Sequence, residues 1–306
     1  MTYILQPGDP QARPPYLGEN ILMHGGFLAC NHGKLSALCD LVLNGVDPDV
    51  QFSVVSGHVL YAALYAERMR SADPRDARFG SVPEIDIGLW VLTWGGRRGH
   101  LPWLRWMPAF IFVDSSSAMM TGRELYGYPK QFARMVRTGA ADDDFGVQLH
   151  AIGFEHMDPA EQGREHQVLS VARDDAGAGP SLSPGAGGLK ALAQPFLATV
   201  TGEDADSHRG EALGSLVPPF LGMPMVFLRQ MRDVASVDGV QVQEISAATV
   251  EPTAIHGVGL APAHTLNLSP LASVPIAETL GCAASAGLDW TFWAKFDFRV
   301  GPGRRL

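Results

Sequence analysis

Lysine is nearly missing from this chain. Of 23 basic residues only Lys34, Lys130, Lys190 and Lys295 are lysine, and the rest are arginine. Chemistry that needs a primary amine therefore has few places to sit. Cysteine is scarce as well: Cys30, Cys39 and Cys282 are scattered without paired spacing. That excludes a disulfide framework and fits buried thiols in a reducing cytoplasm. Positive charge is also in deficit, with a formal net charge of −9 and no basic cluster interleaved with aromatics. Nucleic acid and anionic membrane surfaces are thus poor partners.

Long apolar runs are absent too. The longest uncharged segment, Pro252 to Ala277, is interrupted by Pro262, Pro270 and Pro275 and carries His256 and His264, so it does not read as a membrane span. Met1 to Gln11 shows neither a basic start nor an apolar stretch, and a secretory leader is not expected there. No G-x-S-x-G elbow occurs, and Gly257-Val258-Gly259 and Gly185-Ala186-Gly187-Gly188 lack the context of a dinucleotide loop. His24, Cys30 and His32 have no second cluster to complete a metal set, so no metal is expected. His150, His156 and His166 read as structural or surface histidines, and Asp142-Asp143-Asp144 as a solvated turn.

What is present describes a folded protein: 306 residues, 46% hydrophobic and 18% charged. Residues 1–306 read as one domain with an N-terminal arm over 1–20 and a flexible Gly/Ala/Ser/Pro-rich insertion over 174–188. Helical spacing appears over Lys34 to Asn44. Strand patterns appear at Gln51 to Ala66, Glu84 to Trp94, Ala109 to Val113, Gln131 to Arg137, Gly146 to Phe154, Gln167 to Arg173, Met225 to Met231 and Gly239 to Ala248. Within Glu84 to Trp94, Ile85, Ile87, Leu89 and Val91 alternate with Asp86, Gly88 and Trp90, which marks a strand with two distinct faces. The final strand, Trp290 to Arg299, alternates in the same way and sets Lys295 on its polar side. Gly95 to Trp106 reads as an exposed loop. These patterns predict an α+β, mostly β fold: a largely antiparallel sheet or closed barrel with peripheral helices.

The most informative stretch runs from Gly122 to Ala133. A helix is predicted from Ser115 or Ser116 to Leu125, capped by Asp114 and stopped by Gly127. Pro129 then prevents helix continuation and holds Tyr128 extended. Lys130 is left on a stiff turn with Tyr126, Tyr128 and Phe132 nearby, a setting in which an amine can act as a nucleophile.

Gly122-Arg123-Glu124-Leu125-Tyr126-Gly127-Tyr128-Pro129-Lys130-Gln131 resembles the active-site motif of the acetoacetate decarboxylase-like superfamily, roughly G-R-E-x-x-x-[YF]-P-K-K. Met107 to Thr121, Met225 to Val250 and Leu271 to Phe298 are similar to its flanking segments, whereas the arm, the Gly95 loop and the Met157 to Pro219 region stand outside the likeness. The resemblance implies a barrel- or cone-like fold, a homo-oligomer, and a small-molecule carbonyl substrate processed without metal or organic cofactor. It implies that Lys130 forms a Schiff base and that Glu84, in Val82-Pro83-Glu84-Ile85, moves protons. Gln131 stands where that family has a second lysine, so desolvation by Tyr126 and Tyr128 would have to activate Lys130. The family's carboxylate-binding arginine has no counterpart between Asn20 and Phe27, where His24 is the nearest polar group, and its second glutamate falls near Tyr61. Arg123 is a further candidate for a substrate carboxylate. The implied chemistry is aldol, dehydration or cyclisation through an iminium; decarboxylation of a β-keto acid and non-catalytic binding of an apolar carbonyl compound are the alternatives.

Overall fold

Period-two alternation in a strand buried on both sides gives each face a different core, and that division organises this protein. In the computed structural model, which describes residues 4, 8–139, 141–174, 222–236 and 238–306, the strands in chain order are β1 (Tyr16–Ala29), β2 (Val50–Ser71), β3 (Val82–Arg97), β4 (Trp103–Val113), β5 (Lys130–Phe132), β6 (Arg134–Arg137) and β7 (Val147–Gly153). They continue with β8 (Arg164–Arg173), β9 (Met223–Arg232), β10 (Val240–Leu260), β11 (His264–Leu268), β12 (Ser285–Gly287), β13 (Asp289–Val300) and β14 (Arg304–Arg305). The helices are short: α1 (His32–Cys39), α2 (Ser116–Thr121) and α3 (Ile276–Leu280). Wider π-helical turns extend α1 over Asp40–Asn44 and α2 over Gly122–Tyr126.

The larger sheet runs β13-β1-β2-β3-β4-β9-β10, and β10 pairs again with β13, so the pairing path returns to its start. Nearly all of these pairings are antiparallel; β4 meets β9 through one parallel pair, Trp106 with Met225, and β5 lies parallel to the end of β4. A second sheet, β12-β11-β8-β7-β6, packs on the outside of this ring. The inner face gathers Met23, Ala62, Trp90, Phe292 and Phe296 into one core. The outer face contributes Tyr61, Ile87, Leu89 and Val91 to a second core with Phe145, Leu149 and Leu169.

Several sequence expectations change. The stretch read as a loop over Gly95 to Trp106 is mostly strand: β3 continues to Arg97, and β4 begins at Trp103, ahead of the expected Ala109. Its charge misleads because Arg105 is buried, with its guanidinium donating to the Gly95 carbonyl at 3.2 Å. Gln131 to Arg137 is two strands in two different sheets. Tyr16 to Asn20, expected in the arm, belongs to β1. Asp142 is part of a docked turn: its carboxylate pairs with Lys295 at 2.7 Å and its carbonyl meets His24. The expected insertion over 174–188 lies outside the described residues apart from Asp174. Among the described residues no helix is long and apolar enough to cross a membrane.

Candidate active site

The path to Lys130 begins at the start of α2. Ser115, rather than Asp114, caps the helix, its hydroxyl accepting from the Ala118 amide at 3.2 Å. Asp114 instead accepts from the Ile85 amide of β3 at 2.8 Å. The π-helical turn closes at Gly127, in the left-handed region at φ 93°. The Gly122 carbonyl there accepts from both Gly127 and Tyr128. Wide turns of this kind recur where a helix must present a residue out of register. A side chain at Gly127 would strike the backbone of β9, with a built Cβ 2.6 Å from both Arg229 Cα and the Leu228 carbonyl oxygen. Arg229 donates to the Glu124 carbonyl and pairs with Glu244, while the Ser246 hydroxyl donates to the Tyr126 carbonyl. Arg123 donates to the Lys130 carbonyl at 3.0 Å. The chain entering Lys130 is therefore held by β9, β10 and its own arginine.

Lys130 enters the ring at the start of β5, beside Ile111, and only 7% of it is exposed. Its Nζ donates to Asp86 Oδ2 at 3.1 Å, lies 3.7 Å from Glu84 Oε1, and sits 5.2 Å from the centre of the Tyr128 ring. Glu84, Asp86, Gly88 and Trp90 share the inner face of β3, as alternation requires. Together with residues such as Met23, Leu64, Met225 and Phe296 they surround a cavity of about 230 Å³. Pro10 and Ala12 of the arm line it as well, and the Ser117 hydroxyl fastens the arm by donating to the Pro10 carbonyl at 2.8 Å.

The electrostatics follow from burial. Desolvation alone would lower the pKa of the Lys130 ammonium, but the Asp86 and Glu84 carboxylates more than offset it and the net shift is upward. Glu84 is pushed well above the ordinary carboxylate range, first by burial and then by Asp86, with Lys130 pulling the other way. The consistent resting arrangement is an ammonium on Lys130 paired with Asp86 while Glu84 holds a proton, which keeps the buried cluster neutral overall. Such a cluster can exchange protons internally and can supply an amine once one carboxylate takes the Lys130 proton.

Gly122 is required for this placement. A Cβ built on it would lie 2.7 Å from Lys130 Cδ and 3.1 Å from Cε. The atoms struck belong to a flexible side chain, so Gly122→Ala is expected to cost little stability, about 1 kcal/mol at the low end of overpacking effects. It should nevertheless slow covalent trapping of Lys130 by about tenfold or more, since misplacement by about an ångström weakens near-attack geometry. Thermal unfolding measured beside a borohydride trapping rate checks both halves.

The other expected residues separate. Tyr126 and Tyr128 line the cavity, but their hydroxyls are engaged, with the Gly301 carbonyl at 2.8 Å and Met225 Sδ at 3.2 Å. His24 and Tyr61 lie on the outer face, away from Lys130. The His24 ring stacks on Phe145 with centroids 4.8 Å apart, and burial pushes its pKa down to about 3. Tyr61 is fully buried beside the same phenylalanine. Their neighbours Met23 and Ala62 are the residues that face inward. Arg123 lines a separate groove of about 870 Å³ behind Tyr128 and Pro129. Gln131, one position along β5 from Lys130, turns to the opposite face. Asp86, the carboxylate nearer to Lys130, is not among the residues the motif points to, although its spacing of two from Glu84 places both on one face.

By sequence, the chain matches no protein-family model and no curated protein. By structure it is similar to acetoacetate decarboxylase from Legionella pneumophila, with a TM-score of 0.61 at 14% identity over 96% of this chain and 87% of that one. It has the acetoacetate decarboxylase-like fold. An acetoacetate decarboxylase-like enzyme from Sphingomonas wittichii shares that fold at a TM-score of 0.60 and 16% identity, over 100% of this chain and 99% of that one. The enduracididine biosynthesis enzyme MppR, determined with pyruvate bound, does so at 0.53 and 12%, over 96% and 91%. Among the described residues no three His, Cys, Asp or Glu side chains come together as a metal set.

Proposed function

We propose that the protein is a Schiff-base-forming lyase that acts on a carbonyl compound through Lys130. The observation that carries this reading is the buried amine held between Asp86 and Glu84 in a mostly apolar cavity. The ring of paired strands is read as the barrel of this fold, with the cavity at its inner face. Lys130 gives a proton to Asp86 and attacks the carbonyl carbon, forming a carbinolamine. Glu84 protonates its hydroxyl, water leaves, and a carbon–nitrogen double bond remains as the iminium. A carboxylate takes a proton from the neighbouring carbon and the iminium accepts the electron pair left behind, giving an enamine. In aldol and cyclisation reactions the enamine carbon attacks a second carbonyl carbon, whose oxygen takes a proton from a carboxyl group; in dehydration the enamine expels a protonated hydroxyl as water. Water then hydrolyses the iminium, which releases the product and the Lys130 amine.

Decarboxylation is the second reading, favoured by the fold shared with acetoacetate decarboxylases. Gln131 in place of a neighbouring lysine speaks against it, because acetoacetate decarboxylases are a standard instance of a lysine activated by desolvation or a nearby cation. MppR holds pyruvate in this fold, so a condensation partner is a reasonable substrate type to assay. The test is product analysis with acetone plus an aldehyde, with pyruvate plus an aldehyde, and with acetoacetate. Condensation or dehydration products that vanish in Lys130→Met support the proposal. Carbon dioxide from acetoacetate, lost in the same variant, replaces it with the decarboxylase reading. Ligand binding without turnover, unchanged in Lys130→Met, replaces both with a carbonyl-binding role.

A further inference from the structure

Resting on the imine reading of Lys130, we infer that the substrate of this site is an uncharged carbonyl compound, with a second oxygen that accepts a hydrogen bond from Trp90. Two independent features of the cavity lead there.

The first is its charge. Among the described residues that line it, the only cations are Lys130 and Arg70. Lys130 is already matched by Asp86 and Glu84, and it loses its charge when its amine becomes the nucleophile. Arg70 is held at the rim by Glu19, with two hydrogen bonds of 2.9 and 2.8 Å to one carboxylate oxygen. The inner faces of β1 and β2 offer Met23, Ala62 and Leu64. A substrate carboxylate would thus leave water, find no unmatched cation among the described lining residues, and face two acidic side chains. An unpaired buried anion is strongly disfavoured in such surroundings. The remaining lining is mostly apolar with a few uncharged hydroxyls, at Tyr16, Ser71, Ser117, Thr121, Tyr126 and Tyr128, and suits a neutral molecule.

The second feature is a spare donor. The indole Nε1 of Trp90 is buried and has no hydrogen-bond partner, and Trp90 as a whole is 6% exposed. It lines the cavity on the same face of β3 as Glu84 and Asp86, and its ring meets Tyr128 edge-on at 6.2 Å. Lys130 Nζ lies over that same tyrosine ring. Gly88 makes room for it, since a Cβ there would fall 2.3 Å from Nε1. Buried indole N–H groups ordinarily find an acceptor. Here the acceptor is the second oxygen of the substrate, an ester, ketone or hydroxyl oxygen, with the first carbonyl bonded to Lys130.

The test compares ethyl acetoacetate with acetoacetate, which share one reacting ketone and differ in charge, alongside a plain seven-carbon methyl ketone. Each is incubated with the intact protein and borohydride, and the adduct at Lys130 is quantified by peptide mass spectrometry. The ester is expected to label faster than the acid by on the order of a hundredfold. Trp90→Phe should slow labelling by the ester about tenfold more than it slows labelling by the methyl ketone, since only the ester presents a second oxygen. Equal or faster labelling by acetoacetate would overturn the inference while leaving the imine reading intact. A Trp90→Phe variant that slows both neutral probes equally would overturn the role of the indole. No adduct with any probe would remove the imine reading itself, and this inference with it.

Discussion

A Glu84→Gln/Asp86→Asn double variant is expected to move the titration of Lys130 downward, from above the ordinary lysine value near 10.4 to below it. The sign follows from the opposing influences on the amine. Burial favours the neutral form, and the two carboxylates favour the ammonium strongly enough to win. Removing both negative charges while keeping the side-chain shapes leaves burial alone. At neutral pH each unit of downward shift raises the free-amine fraction about tenfold. Labelling of Lys130 by a simple acylating reagent should therefore begin at lower pH than in the native protein, where it climbs only through the alkaline range. On the proposed imine mechanism, turnover should move the opposite way and fall by about a hundredfold or more, because that mechanism draws its protons from these two groups. A more reactive amine in a less active enzyme is a pairing that general damage to the fold would not produce.

Gly127→Ala is expected to have the largest effect on stability of any substitution near the site. A non-glycine residue held left-handed costs roughly 1–2 kcal/mol, and Gly127 sits at φ 93°. In addition, the new Cβ would meet backbone atoms of β9 at 2.6 Å, which cannot swing aside as a side chain can. Overpacking of that kind adds about 1–3 kcal/mol. Gly99→Ala provides the comparison: it has φ 81° but nothing within 4 Å of a built Cβ, so it should show the backbone contribution alone. Thermal unfolding of the two variants should differ by several degrees, with Gly127→Ala the lower. Equal losses would mean that the contact with β9 contributes nothing.

Much of this architecture was legible in the sequence, and the misses share a cause. The helix stop at Gly127 and the alternation in β3 and β13 are local properties, set by backbone preference and by a period of two. Which face of a strand is interior is not local. Asp86 lies on what looks like the polar side of β3, and only the return of β10 to β13 turns that side into the lining of a cavity. His24 and Tyr61 show the same effect in reverse. Each lies one position from an inward residue, and a register difference of one carries a side chain to the other core. The Gly95 to Trp106 segment misleads because its arginines and glycines suggest solvent, whereas Arg105 and Trp106 are buried in paired strands. Lys130 is legible in the sequence because lysine is so rare here and because the flanking glycine, proline and tyrosines mark a rigid approach to it.

If Lys130 is an imine-forming amine, reducing the protein with borohydride in the presence of ethyl acetoacetate and mapping the modified peptide by mass spectrometry should give a single reduced adduct on the peptide that contains Lys130. That adduct should be absent from Lys130→Met and weakened in Gly122→Ala. An adduct distributed over Lys34, Lys190 and Lys295 but missing from Lys130 would contradict that role.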